Sequence, residues 1–170
     1  WAEYFEIKIL FSVFNKKSYS LLKNFNPNAI KIASRTLIND SALVEDIIET
    51  HENVIISLGM WNKEQNKLPF NSKNIFYLWC ESKYPCTPWD MKNFPKQFSN
   101  KTYFGYSDHT IGIETCLLAI CRGAKIIEKH FTLDKSDVTI RDHTLSATPE
   151  EFLQLSRLGK DIFKKLKIGV

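Results

Sequence analysis

Thr102-Tyr103-Phe104-Gly105-Tyr106-Ser107-Asp108-His109-Thr110 opens the stretch that decides the fold, and Lys125-Ile126-Ile127-Glu128-Lys129-His130-Phe131-Thr132 closes it. Between them, residues 113–121 are nearly all apolar, and Gly123 follows as a C-terminal cap. The spacing predicts strands over 102–105 and 125–128 with an apolar helix between them. Strands joined through a helix run parallel, so this stretch reads as one βαβ unit.

The same signal recurs toward the N-terminus. Short runs rich in β-branched and aromatic residues predict strands over 9–14, 30–33, 54–57 and 75–79. A helix is predicted over 41–50, with Leu43, Val44, Ile47 and Ile48 on one face. Thr148-Pro149-Glu150-Glu151 supplies an N-cap, a proline at the first helical position and a capping-box glutamate. It opens a last helix with Phe152, Leu155, Leu158, Ile162 and Phe163 facing inward. Two segments are weak: 61–73 is polar and broken by Pro69, and 86–99 allows only a short helix around 89–94 between Pro88 and Pro95.

Alternating strands and helices define an α/β fold with parallel strands buried on both faces. A doubly wound open sheet and a (β/α)8 TIM barrel both fit this pattern. Polar residues gather where strands end: Ser34, Ser57, Ser82, Ser107, His109 and His130. In a barrel these ends converge on one mouth, whereas an open sheet usually carries a Gly-rich phosphate loop, which this sequence lacks. The barrel is the better reading. It is incomplete, because six strands are visible where such a barrel has eight and about 250 residues. The expectation is one partial barrel domain over 1–170, truncated at its N-terminus.

Composition narrows the function classes. The 170 residues are 44% hydrophobic and 25% charged, an ordinary globular balance. The net charge of +4 is spread along the chain without a basic stripe, so no nucleic-acid partner is expected. No apolar run approaches the roughly 20 residues that span a bilayer, so no membrane partner is expected either. Cys80, Cys86, Cys116 and Cys121 match no zinc or redox spacing and read as free thiols in a reducing cytoplasm.

His109 and His130 end adjacent parallel strands and would lie close together. Imidazoles suit Mn, Fe, Co or Zn, and two of them with water and substrate oxygens give an open, catalytic kind of site. Equally, each histidine could serve as a hydrogen-bonding core residue or a general base. Strand alternation puts Glu128 on the side of His130, as ligand, orienter or base, and turns Lys129 toward the helical layer. Asp108 reads either as a carboxylate fixing an imidazole tautomer or as a helix N-terminal carboxylate. Lys31 lies inside an apolar strand and reads as an anion clamp beside Ser34 and Ser57, because a lone buried ammonium is costly. Asp142, His143 and Ser146 lie in a polar loop before the last helix, placed at a barrel mouth or in a solvated turn. His51 reads as a surface residue at a helix end.

These words together resemble the sialic acid synthase family, enzymes that condense phosphoenolpyruvate with an N-acylated amino sugar. The markers are Lys31-Ile32-Ala33-Ser34, Ile55-Ile56-Ser57-Leu58-Gly59-Met60, Cys80 with Tyr84-Pro85, Gly105 to Thr110, Ile127 to Asp134, and Arg141 to Phe152. The resemblance implies a barrel and a divalent ion, Mn2+ with Mg2+ or Co2+ as alternatives, held by His109 and His130. It implies that Ser12, Lys31, Ser34, Ser57, Tyr84 and Ser107 hold phosphoenolpyruvate, with Ser82 where the family usually has an amide side chain. Asp142 matches a carboxylate near the amino-sugar acceptor, N-acetylmannosamine or a related sugar, and Glu128 an acidic residue beside the metal; both are catalytic candidates. The expected chemistry is attack of phosphoenolpyruvate C3 on the sugar aldehyde, capture of C2 by water and loss of phosphate. The family's acidic residue and further lysine on the first two strands have no counterpart here, nor has its C-terminal antifreeze-like domain. Full-length relatives are expected to be homodimers, with this fragment inactive alone. Two other readings stay open: a non-catalytic metal- or anion-binding remnant, and another phosphoenolpyruvate-dependent aldol-type synthase.

Overall fold

The computed structural model describes residues 1–22, 24–61, 67–137, 139–140 and 142–169. The chain divides into two compact units, Trp1–Tyr77 and Leu78–Val170, each taken by itself below.

The first unit holds β1 (Leu10–Val13), α1 (Lys16–Leu22), β2 (Ala29–Ile32), α2 (Ser34–Asn39), α3 (Ser41–Thr50) and β3 (Val54–Ser57). The strands pair in parallel, with Ser12 opposite Lys31 and Lys31 opposite Ile55. The predicted helix over 41–50 is α3, and Leu43, Val44 and Ile47 are fully buried beneath it. Asp40 caps it by accepting from Leu43 N at 3.1 Å. Its far end is closed by Asn74, whose amide nitrogen donates to Ile48 O at 2.7 Å and His51 O at 2.6 Å. The sequence reading did not include α1 or α2. Both are short, at 7 and 6 residues, and give too few turns for a helical period to show.

The second unit is built on β4 (Ile75–Cys80), β5 (Gly105–Asp108), α4 (Glu114–Cys121), β6 (Ile126–Lys129) and α5 (Pro149–Lys167). Again the ladders are parallel: Cys80 lies opposite Ser107, and Asp108 opposite Lys129. A core of Trp79, Phe98, Tyr106, Cys116, Ala119, Ile120 and Leu155 fills the space between strands and helices. Gly123 ends α4 at φ +95°, the left-handed conformation expected of a cap. Thr148 and Glu151 form the predicted capping box at α5, with Thr148 N donating to Glu151 Oε2 at 2.9 Å.

Three expectations are corrected. The strand placed over 102–105 is Gly105–Asp108, so Gly-Tyr-Ser-Asp is the strand itself rather than the loop after it. Aromatic Tyr103 and Phe104 mimic a strand, but Ser99 N bonds Tyr103 O and closes a turn there. A strand also tolerates Asp108 because its charge is paired inside the fold. The helix around 89–94 is only a 3-10 turn, Pro88–Asp90. On α5, Leu155 and Gly159 are buried, whereas Phe152, Leu158 and Phe163 stay 36–42% exposed. Of the weak segment 61–73, residues 62–66 lie outside the described residues.

Candidate active site

In the second unit the strands deliver two histidines into one neighbourhood. His109 follows β5 directly and His130 follows β6 directly, and the ring centroids are 5.4 Å apart. His109 is buried, at 5% exposure. Its Nδ1 lies 2.8 Å from Glu81 O in the loop after β4. A carbonyl only accepts, so the neutral ring carries its proton on Nδ1 and keeps the Nε2 lone pair for a ligand. Burial pushes the His109 pKa below its usual value; the Glu81 bond opposes this and the neighbouring His130 adds to it. A neutral imidazole is the form that binds metal.

Tyr84 covers this pair, 4.1 Å from the His109 ring and 6.4 Å from the His130 ring, centroid to centroid. Asp142 Oδ2 stands 3.9 Å from His130 Nδ1, near that ring but beyond hydrogen-bond distance. Ser107 donates to Glu128 Oε2 across the β5–β6 ladder. Glu128 is therefore beside the pair and already engaged. Ser82 is half-buried in the loop that carries Glu81 and Tyr84. In the polar loop, Ser146 is buried and donates to Asp142 O at 2.6 Å, a fold-closing role rather than a solvated turn.

Asp108 departs from the tautomer-fixing role open to it in the sequence. Glu81 O orients His109, and the Asp108 carboxylate turns into the core. It accepts from Tyr106 OH at 2.6 Å, Thr110 N at 2.9 Å, Thr110 Oγ1 at 2.8 Å, Cys116 Sγ at 3.1 Å and Lys129 Nζ at 2.7 Å. Burial alone would raise its pKa, but the Lys129 charge and these donors hold it below the usual carboxylate value. Lys129 faces the helical layer as expected, and its side chain is fully buried.

The first unit carries the other candidates. Register puts Ser12, Lys31 and Ser57 on one side of its strands, since Ser12 pairs with Lys31, Lys31 with Ile55, and Ser57 lies two residues on. Lys31 and Ser57 are buried and Ser12 is exposed. Ser34 Oγ accepts from Gly59 N at 2.9 Å, which fixes the loop after β3. Ser57 Oγ is fully buried without a hydrogen-bond partner among the described residues, a costly state that a polar ligand would relieve.

The residues fit a divalent ion in one specific sense. Among the described residues no cluster of three or more His, Cys, Asp or Glu side chains could close a metal site. Two imidazoles, one with its ring fixed by Glu81 O, suit an open site that leaves positions for water and substrate oxygens. All four cysteines are free, and Cys80, Cys86 and Cys116 are buried. No described helix is long and apolar enough to cross a membrane. The role of the Glu81 carbonyl was invisible in the sequence, because a backbone acceptor leaves no residue-type signal.

Parallel strands alternating with helices, with polar groups at the strand ends, define an α/β protein of the barrel class. The NeuB family model matches residues 1–169, and the chain belongs to the NeuB family. It is 34% identical over 176 residues to the N,N'-diacetyllegionaminic acid synthase of Campylobacter jejuni, covering 96% of this chain and 52% of that protein. An uncharacterized protein of Methanocaldococcus jannaschii is 36% identical, covering 99% of this chain and 52% of its own length. The crystal structure of the N-acetylneuraminic acid synthetase from Leptospira borgpetersenii, in complex with citrate, superposes with a TM-score of 0.78 at 29% identity. That match covers 99% of this chain and 61% of the solved one. The chain thus has the architecture of an incomplete (β/α)8 barrel, and it spans about half the length of the curated relatives it matches.

Proposed function

We propose that the protein containing this chain condenses phosphoenolpyruvate with an N-acylated amino sugar, giving a nonulosonic acid and phosphate. The observation that carries the reading is the His109–His130 pair, 5.4 Å apart, with His109 Nδ1 bound to Glu81 O and its Nε2 left open. His109 and His130 would hold a divalent ion, Mn2+ or alternatively Mg2+ or Co2+. When bound, such an ion supplies Lewis-acid polarisation of the sugar carbonyl.

The chain's own residues do the rest. Tyr84 packs over His109 and keeps that ring from swinging. Asp142, 3.9 Å from His130, places a carboxylate beside that imidazole for the acceptor sugar. Glu128 accepts from Ser107 and takes the proton that water gives up when it captures C2. In the first unit Lys31 and Ser57, with Ser12 and Ser34, offer cationic and hydroxyl groups to an anion such as the phosphate or carboxylate of phosphoenolpyruvate; in the second, Ser82 offers a further hydroxyl and Ser107 holds Glu128. The partnerless Ser57 Oγ supports this, because an arriving anion would accept its proton. Holding the two substrates in register is mainly a positioning contribution to rate. The acceptor is an amino sugar of the N-acetylmannosamine, legionaminic or pseudaminic type, the working form a homodimer, and the compartment the cytoplasm, where the thiols stay reduced.

The test is phosphate release by the full-length protein, given Mn2+, phosphoenolpyruvate and a panel of N-acylated amino sugars. Release that needs one acceptor, and falls on chelation, is expected. No release with any acceptor overturns the reading.

A further inference from the structure

The buried ion pair Asp108–Lys129 has no part in the chemistry above, yet it occupies the two positions that immediately precede the histidines. Asp108 and Lys129 are register partners across β5 and β6. Their side chains meet at 2.7 Å, both with no solvent exposure. Lys129 Nζ also donates to Thr110 O at 2.7 Å. Asp108 Oδ1 in turn accepts from Thr110 N and Thr110 Oγ1. His109 is thus bracketed: the residue before it and the residue after it are both tied to a single ammonium on the strand that carries His130.

A buried ion pair is a poor device for stability alone, since desolvation offsets most of the attraction and neutral packing of similar shape often does as well. Its value here is geometric. Glu81 O holds the His109 ring from the β4 side, and Lys129 holds the residues on either side of His109 from the β6 side. Slippage of β5 against β6 would separate the rings, and the pair is the one salt bridge between those strands among the described residues.

We propose that Asp108 and Lys129 are positioning residues, a cross-strand clamp that sets the His109–His130 separation before any ligand arrives. This rests on the metal reading of the two histidines. In zinc and related sites, groups that orient the ligands are worth about 10–100-fold in metal affinity.

The test is the double variant Asp108→Asn with Lys129→Met, which removes both charges while keeping the side-chain shapes. Two readouts are taken on the 170-residue chain. One is Mn2+ affinity by electron paramagnetic resonance of the free ion. The other is the imidazole 15N spectrum of the metal-free chain, which reports the His109 tautomer. The expected result is a melting temperature within a few degrees of wild type, at least tenfold weaker Mn2+ binding, and loss of the single Nδ1–H tautomer. Wild-type Mn2+ affinity together with an unchanged 15N spectrum overturns the clamp. If the double variant does not fold, Asp108→Asn alone carries the same readouts, because it keeps acceptors for Tyr106 and Thr110. Unfolding of both variants makes the pair a stability element and also overturns it. If wild type binds no Mn2+ but the spectrum changes in the variant, the clamp stands and the metal reading falls.

Discussion

The polar groups at the strand ends of the two units are answered differently. In Leu78–Val170 nearly every candidate is already answered by protein: His109 by Glu81 O, Ser107 by Glu128, Asp108 by Lys129 and three further residues. In Trp1–Tyr77, Ser57 Oγ at the end of β3 is buried with no partner among the described residues; in the second unit the one such atom is His143 Nδ1, in the loop before α5 rather than at a strand end. The contrast teaches a division of labour. The second unit is organised before a ligand arrives, as ligand-orienting shells require. The first leaves a donor waiting, as an anion site does when protein alone cannot satisfy it.

Substitutions can break or sharpen this contrast. The largest effect is expected from Lys129→Ala, which leaves the Asp108 carboxylate buried without its counter-charge. A loss of about 3–5 kcal/mol in unfolding free energy is expected by denaturant titration; a loss below about 1 kcal/mol would show that Asp108 is not held as an anion. Next is Gly105→Ala, because a Cβ there would stand 2.2 Å from Ile126 O on the facing strand. Overpacking of this kind costs about 1–3 kcal/mol, and the clash should push β5 from β6 and weaken Mn2+ binding along with stability. If stability falls while metal affinity holds, the two strands do not set the site.

Smaller again is the cap of α5. Thr148→Ala should cost about 1 kcal/mol by thermal melting. Glu151 adds a pH signature. Burial would raise its pKa, but Lys135 and Thr148 outweigh that and bring it below the usual value of 4.5. A lowered folded-state pKa contributes stability that is present above 4.5 and lost as pH falls through the folded value. Glu151→Gln should therefore flatten the acid limb of the stability curve, and an unchanged limb would assign the acid sensitivity elsewhere. The smallest effect belongs to Ser57→Ala. It removes a hydroxyl that bonds nothing among the described residues, so stability should fall by no more than about 0.5 kcal/mol and can rise. Phosphoenolpyruvate binding by the full-length protein should weaken nonetheless. A large stability loss would mean that Ser57 has a protein partner, and the contrast between the units would fail.

Much of this was legible in the sequence, for identifiable reasons. Parallel strands buried on both faces leave continuous apolar runs, so β3, β4 and β6 were placed within a residue or two. The α5 start was readable because a capping box with proline is chemistry local to four residues. Strand β5 is hard to place because its polar residues Ser107 and Asp108 look like a loop until their partners on β6 are known. The same long-range dependence hid the site's supports. Asp108 and Lys129 are 21 residues apart, and Glu81 acts through its backbone, which residue type does not reveal. What could be read was the pair of histidines and the words around them; what could not was the machinery that fixes their rings.

That pair is the centre of the account, and metal titration tests it most directly. Mn2+ binding to the 170-residue chain, followed by electron paramagnetic resonance, is compared with that of His109→Ala and His130→Ala. The account predicts that either substitution weakens binding by an order of magnitude or more. Affinity unchanged in both variants would contradict it.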